Sequence, residues 1–86
     1  MENAQIESLL SSQIECSEVK VTGDGSHFDA HIVSGEFEGL LPLKRQQKVF
    51  AVLGEHVTSG AIHALNIKAF TPSEWEQAKK LQVQGL

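Results

Sequence analysis

The sequence predicts an α+β fold: a single domain in which helices cover a three-stranded mixed sheet, in the order α-β-β-α-β-α. Three observations support this fold class. Two short stretches of alternating polarity flank a glycine-containing turn, a long amphipathic segment precedes a third apolar run, and 41% of the 86 residues are hydrophobic. A chain of this length forms one hydrophobic core, so we expect one domain over residues 1–86.

The first half of the chain predicts a helix followed by a β-hairpin. Over residues 4–14, apolar side chains recur at helical spacing with polar residues between them. Residues 18–22 alternate in polarity, and residues 28–32 do the same, with His31 on the polar side. The sequence GDGS at residues 23–26 separates these runs, so we expect two antiparallel strands joined by a tight turn.

The second half predicts a helix, a strand and a last helix. Pro42 suits the first turn of a helix that should end near residues 58–60. Residues 61–70 predict a third strand, parallel to the second because a helical crossover connects them. The sequence TPSE at residues 71–74 supplies an N-cap, an N1 proline and a capping-box glutamate, and the last helix continues through Trp75. The apolar stripe of the middle helix should consist of Leu43, Val49, Phe50, Leu53 and Val57.

Charge and cysteine content narrow the function classes. The formal net charge is −4, whereas binding to a generic polyanion needs a clustered cationic surface, which makes nucleic acid the less favoured partner. Cys16 is the only cysteine, which excludes an intrachain disulfide and the paired cysteines of a zinc ribbon. We find no signal peptide and no apolar run of membrane-spanning length, so we expect a cytoplasmic protein with no membrane partner.

Several stretches of the chain, in their order and spacing, resemble proteins of the BolA family. They are residues 23–28 (GDGSHF), 33–34 (VS), 37–39 (FEG), 62–68 (IHALNIK) and 71–75 (TPSEW). The resemblance is greatest with the IbaG-like (YrbA) branch, in which the loop between the first two strands is compact. It implies a fold similar to type II KH domains, in agreement with the element order above. It also implies a monothiol glutaredoxin as partner, and a two-iron two-sulfur cluster shared with that partner and glutathione.

The resemblance also indicates candidate cluster ligands. Iron–sulfur clusters are usually held by four thiolates, with imidazole replacing thiolate in Rieske-type sites. His63 corresponds to the histidine taken as a ligand in the family, and the alternative is a core-edge histidine satisfied by a backbone hydrogen bond. Longer relatives carry a second ligand in an extended loop, which is short here. His27, where the turn meets the second strand, is the nearest candidate, and a structural role is its alternative.

The other polar residues have weaker functional interpretations. His31 should point toward the outer sheet face, His56 lies in a helix, and Cys16 is expected to be a buried, inert thiol. Adjacent Ser26 and His27 project to opposite faces of an extended chain, so they do not form a nucleophile–base pair. A small basic patch on the middle helix is either a solvated helix face or a contact site for a partner or phosphate: Lys44, Arg45 and Lys48.

We therefore expect an adaptor protein with no enzymatic activity, which is a monomer or weak dimer when alone. It would supply histidine ligands to the shared cluster, in cluster trafficking or in the iron, redox and stress response. The alternative is a transcriptional regulator that binds DNA through the KH-like fold and the basic patch. Against nucleic-acid binding, no two glycines have the G-x-x-G spacing with which KH domains clamp a nucleic-acid backbone.

Overall fold

The computed structural model describes residues 1–84, with side chains described for residues 1–81. The elements are α1 (Asn3–Gln13), β1 (Glu18–Gly23), β2 (His27–Val33), a 3-10 turn (Gly35–Phe37), α2 (Pro42–Thr58), β3 (Ala64–Phe70) and α3 (Pro72–Gln84). The strands form one sheet in the order β1-β2-β3, with β1 antiparallel and β3 parallel to β2. This arrangement confirms the predicted fold class. The predicted domain runs to residue 86, and its last two residues lie outside the described part.

Alternation along the central strand β2 separates a buried face of the sheet from an outer face. Phe28, Ala30 and Ile32 are at most 3% exposed and belong to the hydrophobic core that α1 and α2 complete. On the outer face, the ring centroid of His31 lies 4.3 Å from that of Trp75 in α3. Because side chains of a strand alternate between its two faces, His27 begins β2 on the same outer face.

The start of α3 has the predicted capping box. The backbone N–H of Thr71 donates to Glu74 Oε1 at 2.9 Å, and the backbone N–H of Glu74 donates to Thr71 Oγ1 at 3.2 Å. Because the first turn of a helix leaves its N–H groups without intrahelical partners, this reciprocal pair stabilises the helix start. It also fixes the point at which the chain leaves β3.

The predicted apolar stripe of α2 is wrong at two positions. Val49 and Leu53 are fully buried, whereas Leu43 is 64% exposed and Phe50 is 38% exposed. Each residue of an α-helix is rotated by about 100° from the one before, so Leu43 and Phe50 lie roughly 100–120° around the axis from Val49. Their side chains therefore face away from the core, although their sequence spacing from one another is helical.

The third strand begins later than predicted. It starts at Ala64, because residues 61–63 turn to enter the sheet. Within this turn, Ile62 is 1% exposed, and its N–H donates to the carbonyl of His56 at 3.0 Å. His63 thus precedes β3 and is exposed. Within residues 1–84, no helix has the length and apolar character that crossing a membrane requires.

Candidate metal site

The two predicted ligand residues lie next to each other at one end of the sheet. His27 is the first residue of β2 and is paired with Ala64, the first residue of β3. The N–H groups of His63 and Ala64 both donate to the carbonyl of Ser26, at 2.9 and 3.1 Å. As a result, the rings of His27 and His63 meet edge to face, with centroids 5.2 Å apart and an interplanar angle of 80°. Both residues are exposed to solvent.

The turn between β1 and β2 fixes the backbone on which His27 stands. Asp24 Oδ1 accepts hydrogen bonds from the N–H of His27 at 2.9 Å and from the N–H of Ser26 at 3.1 Å. These two bonds, together with the nearby imidazole, lower the pKa of Asp24 to about 2. Gly25 has a φ of +102°, which residues with a side chain rarely adopt. The position of His27 is therefore set by the residue types of this turn.

Asp24 and Ser26 also contact the His27 ring, and the sequence pattern did not identify them as site residues. Ring nitrogen Nδ1 lies 3.2 Å from Ser26 Oγ and 3.6 Å from Asp24 Oδ2. The prediction that Ser26 and His27 project to opposite faces is therefore wrong, because Ser26 lies in the turn and β2 begins only at His27. A signal for this contact is present in the sequence, because aspartate in a glycine-rich turn commonly bonds the backbone two or three residues later. That bond brings its carboxylate next to the side chain that follows.

The two imidazole rings could provide two of the ligands of an iron–sulfur cluster. Two imidazoles 5.2 Å apart can reach one metal centre, because metal–nitrogen bonds are about 2.0–2.1 Å long, as in zinc sites. A cluster needs four protein or thiol ligands. The described residues contain no group of three or more His, Cys, Asp or Glu side chains placed to hold a metal ion. The imidazole pair therefore matches at most two of the four ligands that a cluster needs.

Cys16 lies outside this site, in the connection between α1 and β1. It is half-buried rather than buried as predicted, and its Sγ donates to the carbonyl of Ile14 at 3.0 Å. Burial raises the pKa of the Cys16 thiol, and the neighbouring Glu36 carboxylate raises it further. Because metals and electrophiles react with the thiolate, this environment makes Cys16 a poor ligand.

The other two histidines are also separate from the imidazole pair. His31 is half-buried on the outer sheet face, as expected, and contacts Phe70 at a centroid distance of 5.4 Å as well as Trp75. His56 is half-buried in α2, where it borders a groove between α1 and α2 together with Leu9. The His31 ring thus packs against the protein's own aromatic side chains.

The predicted basic patch on α2 is largely neutralised by acidic residues. Arg45 donates to both carboxylate oxygens of Glu74, at 2.6 and 3.1 Å, and its side chain is only 12% exposed. Lys48 pairs with Glu36 at 3.1 Å. Lys44 is exposed. The structure therefore divides the three cations between two ion pairs and one solvated position.

Comparison with known proteins gives the class to which the fold belongs. Residues 5–74 match the family described as BolA-like protein, and the chain belongs to this family. It is 44% identical over 81 residues to acid stress protein IbaG of Escherichia coli strain K12, covering 94% of this chain and 96% of that protein. Human BolA-like protein 1 is 44% identical over 59 residues, which cover 69% of this chain and 42% of that protein.

Solved structures of BolA proteins share this architecture. A bol-like protein from Babesia bovis matches with a TM-score of 0.81 and 34% identity, over 92% of this chain and 94% of that one. A bolA protein homologue from Coxiella burnetii matches with a TM-score of 0.74 and 37% identity, over 88% and 97% of the respective chains. The three-helix, three-strand arrangement is thus that of the BolA proteins.

Proposed function

We propose that this BolA-like domain is an adaptor that binds a monothiol glutaredoxin and supplies His63 and His27 as ligands to a shared two-iron two-sulfur cluster. The observation that carries the proposal is the pair of exposed imidazole rings 5.2 Å apart. Both residues are anchored through their backbone to the turn at residues 24–26. The exposure of His63 argues against its alternative interpretation as a core-edge histidine.

The chemistry of the ring nitrogens suits this role. Neutral imidazole adds no negative charge to a metal centre, whereas thiolate does, so imidazole ligation favours the reduced state of a cluster. A bound cluster supplies one-electron chemistry and an iron–sulfur unit that can be passed on. This chain would contribute two ring nitrogens, and the partner and glutathione would contribute the thiolates that Cys16 does not supply.

The biological role that we propose is cluster trafficking or signalling in the iron, redox and stress response, without catalytic turnover. The relative that is 44% identical over nearly the whole chain is called an acid stress protein, which supports the stress part of this role. We propose the cytoplasm as the compartment, because a glutathione-dependent site needs a reducing environment.

The test is anaerobic co-expression with a monothiol glutaredoxin, followed by visible absorption and circular dichroism. His63→Ala should abolish the spectrum of the mixed complex, and His27→Ala should weaken it. His56→Ala is the matched control, because its ring lies in α2 away from the pair, and it should leave the spectrum unchanged. A spectrum unchanged in both His63→Ala and His27→Ala would overturn the proposal.

Binding to DNA as a transcriptional regulator stays a prediction from the sequence. Arg45 and Lys48 are each in an ion pair with a glutamate, which disfavours DNA binding. A cation that already pairs with a carboxylate gains less binding free energy from a phosphate. Lys44 alone offers little counterion release. We therefore do not adopt DNA binding as the function of this surface.

A further inference from the structure

We propose that Ser26 and Asp24 are positioning residues that hold His27 in the tautomer protonated at Nδ1, so that Nε2 presents its lone pair at the edge of the domain. The inference rests on the proposed function, because it concerns the ring that would bind the cluster. Nε2 would then be the ligating nitrogen of His27, selected by Ser26 and Asp24.

The single proton of the Ser26 hydroxyl selects the tautomer of the neighbouring ring. Ser26 Oγ donates to Asp24 Oδ1 at 3.4 Å, and the same Oγ lies 3.2 Å from Nδ1 of His27. A hydroxyl has one proton, so once it is directed at the carboxylate the oxygen can only accept from the ring. Acceptance by Oγ requires a proton on Nδ1, and neutral imidazole then leaves Nε2 as the unprotonated nitrogen.

The Asp24 carboxylate supports the same tautomer directly. Its second oxygen, Oδ2, lies 3.6 Å from Nδ1. The negative carboxylate attracts the partial positive charge of an N–H group and repels a lone pair, so it favours the tautomer protonated at Nδ1. Asp24 cannot turn away easily, because Oδ1 also accepts from the backbone N–H groups of Ser26 and His27. Histidines that bind metals commonly donate their other ring N–H to a carboxylate or carbonyl, which fixes the tautomer and raises the basicity of the ligating nitrogen.

The two ligands of the site are therefore unequal. Within the described residues, no comparable chain of hydrogen bonds reaches the ring of His63, which contacts His27 edge to face. His63 is held through its backbone N–H, which donates to Ser26 O at 2.9 Å. Ser26 thus serves both ligands, using its hydroxyl for the ring of His27 and its carbonyl for the backbone of His63.

The direct test is made on the free protein, without a cluster. Long-range ¹H–¹⁵N NMR at about pH 8, where histidine is neutral, reports which ring nitrogen carries the proton. The wild type should show His27 mainly protonated at Nδ1, and Ser26→Ala and Asp24→Asn should shift it toward Nε2. Asp24→Asn keeps an oxygen that can accept the backbone bonds of the turn. Ser12→Ala, an exposed position in α1, is the control and should change nothing.

The second readout is the lifetime of the cluster in the mixed complex. Loss of such a supporting hydrogen bond costs about 10–100-fold in metal affinity at other sites, so Asp24→Asn should release the cluster about tenfold faster. Wild-type His27 protonated mainly at Nε2, or a tautomer and a lifetime unchanged in both variants, would overturn the positioning role. Failure of the wild type to assemble a cluster would instead overturn the proposed function, and the tautomer measurement would still decide the roles of Ser26 and Asp24.

Discussion

The guanidinium of Arg45 donates two hydrogen bonds to the carboxylate of Glu74 and thereby joins α2 to the first turn of α3. The same guanidinium donates to the carbonyl of Leu40 at 2.8 Å and to the carbonyl of Ala69 at 3.2 Å. Arg45 thus donates four hydrogen bonds, which connect α2 to the preceding loop, to β3 and to α3. Arg45 therefore has a structural role, although the sequence placed it in a basic surface patch.

Arg45→Met should lower the free energy of unfolding by about 2 kcal/mol. It retains much of the apolar stem but removes charge-assisted hydrogen bonds, whose loss typically costs about 1.5–3 kcal/mol. Urea denaturation followed by circular dichroism measures the change. Lys44→Met, at the exposed neighbouring position, is the control and should stay within about 0.5 kcal/mol of the wild type. Equal effects of the two substitutions would contradict the structural role of Arg45.

Glu74 should make the stability of the domain depend on acid pH. Its hydrogen bonds from Arg45, and then from the N–H of Thr71, lower its pKa from 4.5 to about 2 in the folded protein. Because the folded pKa is the lower one, the stabilisation is complete above pH 4.5 and is lost as pH falls from there toward 2. The difference in unfolding free energy between wild type and Glu74→Gln should therefore be largest at neutral pH and shrink toward pH 2.

This comparison isolates Glu74 from two other carboxyl groups whose pKa is lowered. The pKa of Asp24 is lowered from 3.8 to about 2, and hydrogen bonds from the N–H of Glu15 and from Lys48 lower the pKa of Glu36. Protonation of either group also destabilises the fold on acidification, but both are present in the two proteins, so their contributions cancel in the difference. A difference that stays constant from neutral pH to pH 2 would contradict the assigned ion pair.

Local signals in the sequence were enough to predict most of the fold. The capping box can be predicted because Thr71 and Glu74 are three residues apart and bond each other directly. Leu43 and Phe50 were misassigned because helical spacing shows which residues share a side of a helix, but not which side meets the core. That choice is made by α1 and the sheet, whose positions are tertiary information.

The site was predictable in part. The resemblance to BolA proteins indicated His63, and proximity to the turn indicated His27, but the sequence could not show that their rings meet. Their contact depends on the register in which β3 pairs with β2, with Ala64 opposite His27. Register is fixed by the packing of the buried face, so it cannot be read from either strand alone. The contacts of Asp24 and Ser26 with the ring follow from the turn geometry.

His63→Cys should keep a cluster in the mixed complex with glutaredoxin but lower its reduction potential. The substitution replaces a neutral imidazole by an anionic thiolate, which favours the oxidised state. Imidazole must be neutral to bind a metal, so the wild-type complex should also lose its cluster as pH falls from 8 to 5. Spectroelectrochemistry and a pH titration of the visible circular dichroism measure the two effects. An unchanged potential would argue that His63 is not a ligand.

DNA binding through the basic patch can be tested without disturbing Arg45. The double variant Lys44→Gln/Lys48→Gln removes the other two cations of the patch. In the wild type, Lys48 forms an ion pair with Glu36, which the double variant also removes. We expect little DNA affinity in either protein at physiological salt, and an unchanged complex with glutaredoxin. Affinity that falls steeply with salt in the wild type, and is lost in the double variant, would support a regulator that uses this surface.

A pair of glycine substitutions tests whether the turn holds the site in place. A Cβ on Gly23 would clash most closely with the backbone carbonyl oxygen of His27 and would lie 2.8 Å from Phe28 Cδ1, whereas a Cβ on Gly54 in α2 would meet no atom within 4 Å. Gly23→Ala should therefore lower the unfolding free energy by about 1–3 kcal/mol, because the His27 backbone and the buried Phe28 ring must shift. Gly54→Ala should raise it by about 0.5–1 kcal/mol, because alanine favours a helix interior. Because Phe28 adjoins His27, Gly23→Ala should also weaken the complex with glutaredoxin, whereas Gly54→Ala should not. Equal unfolding free energies of the two variants would contradict the predicted clash at Gly23.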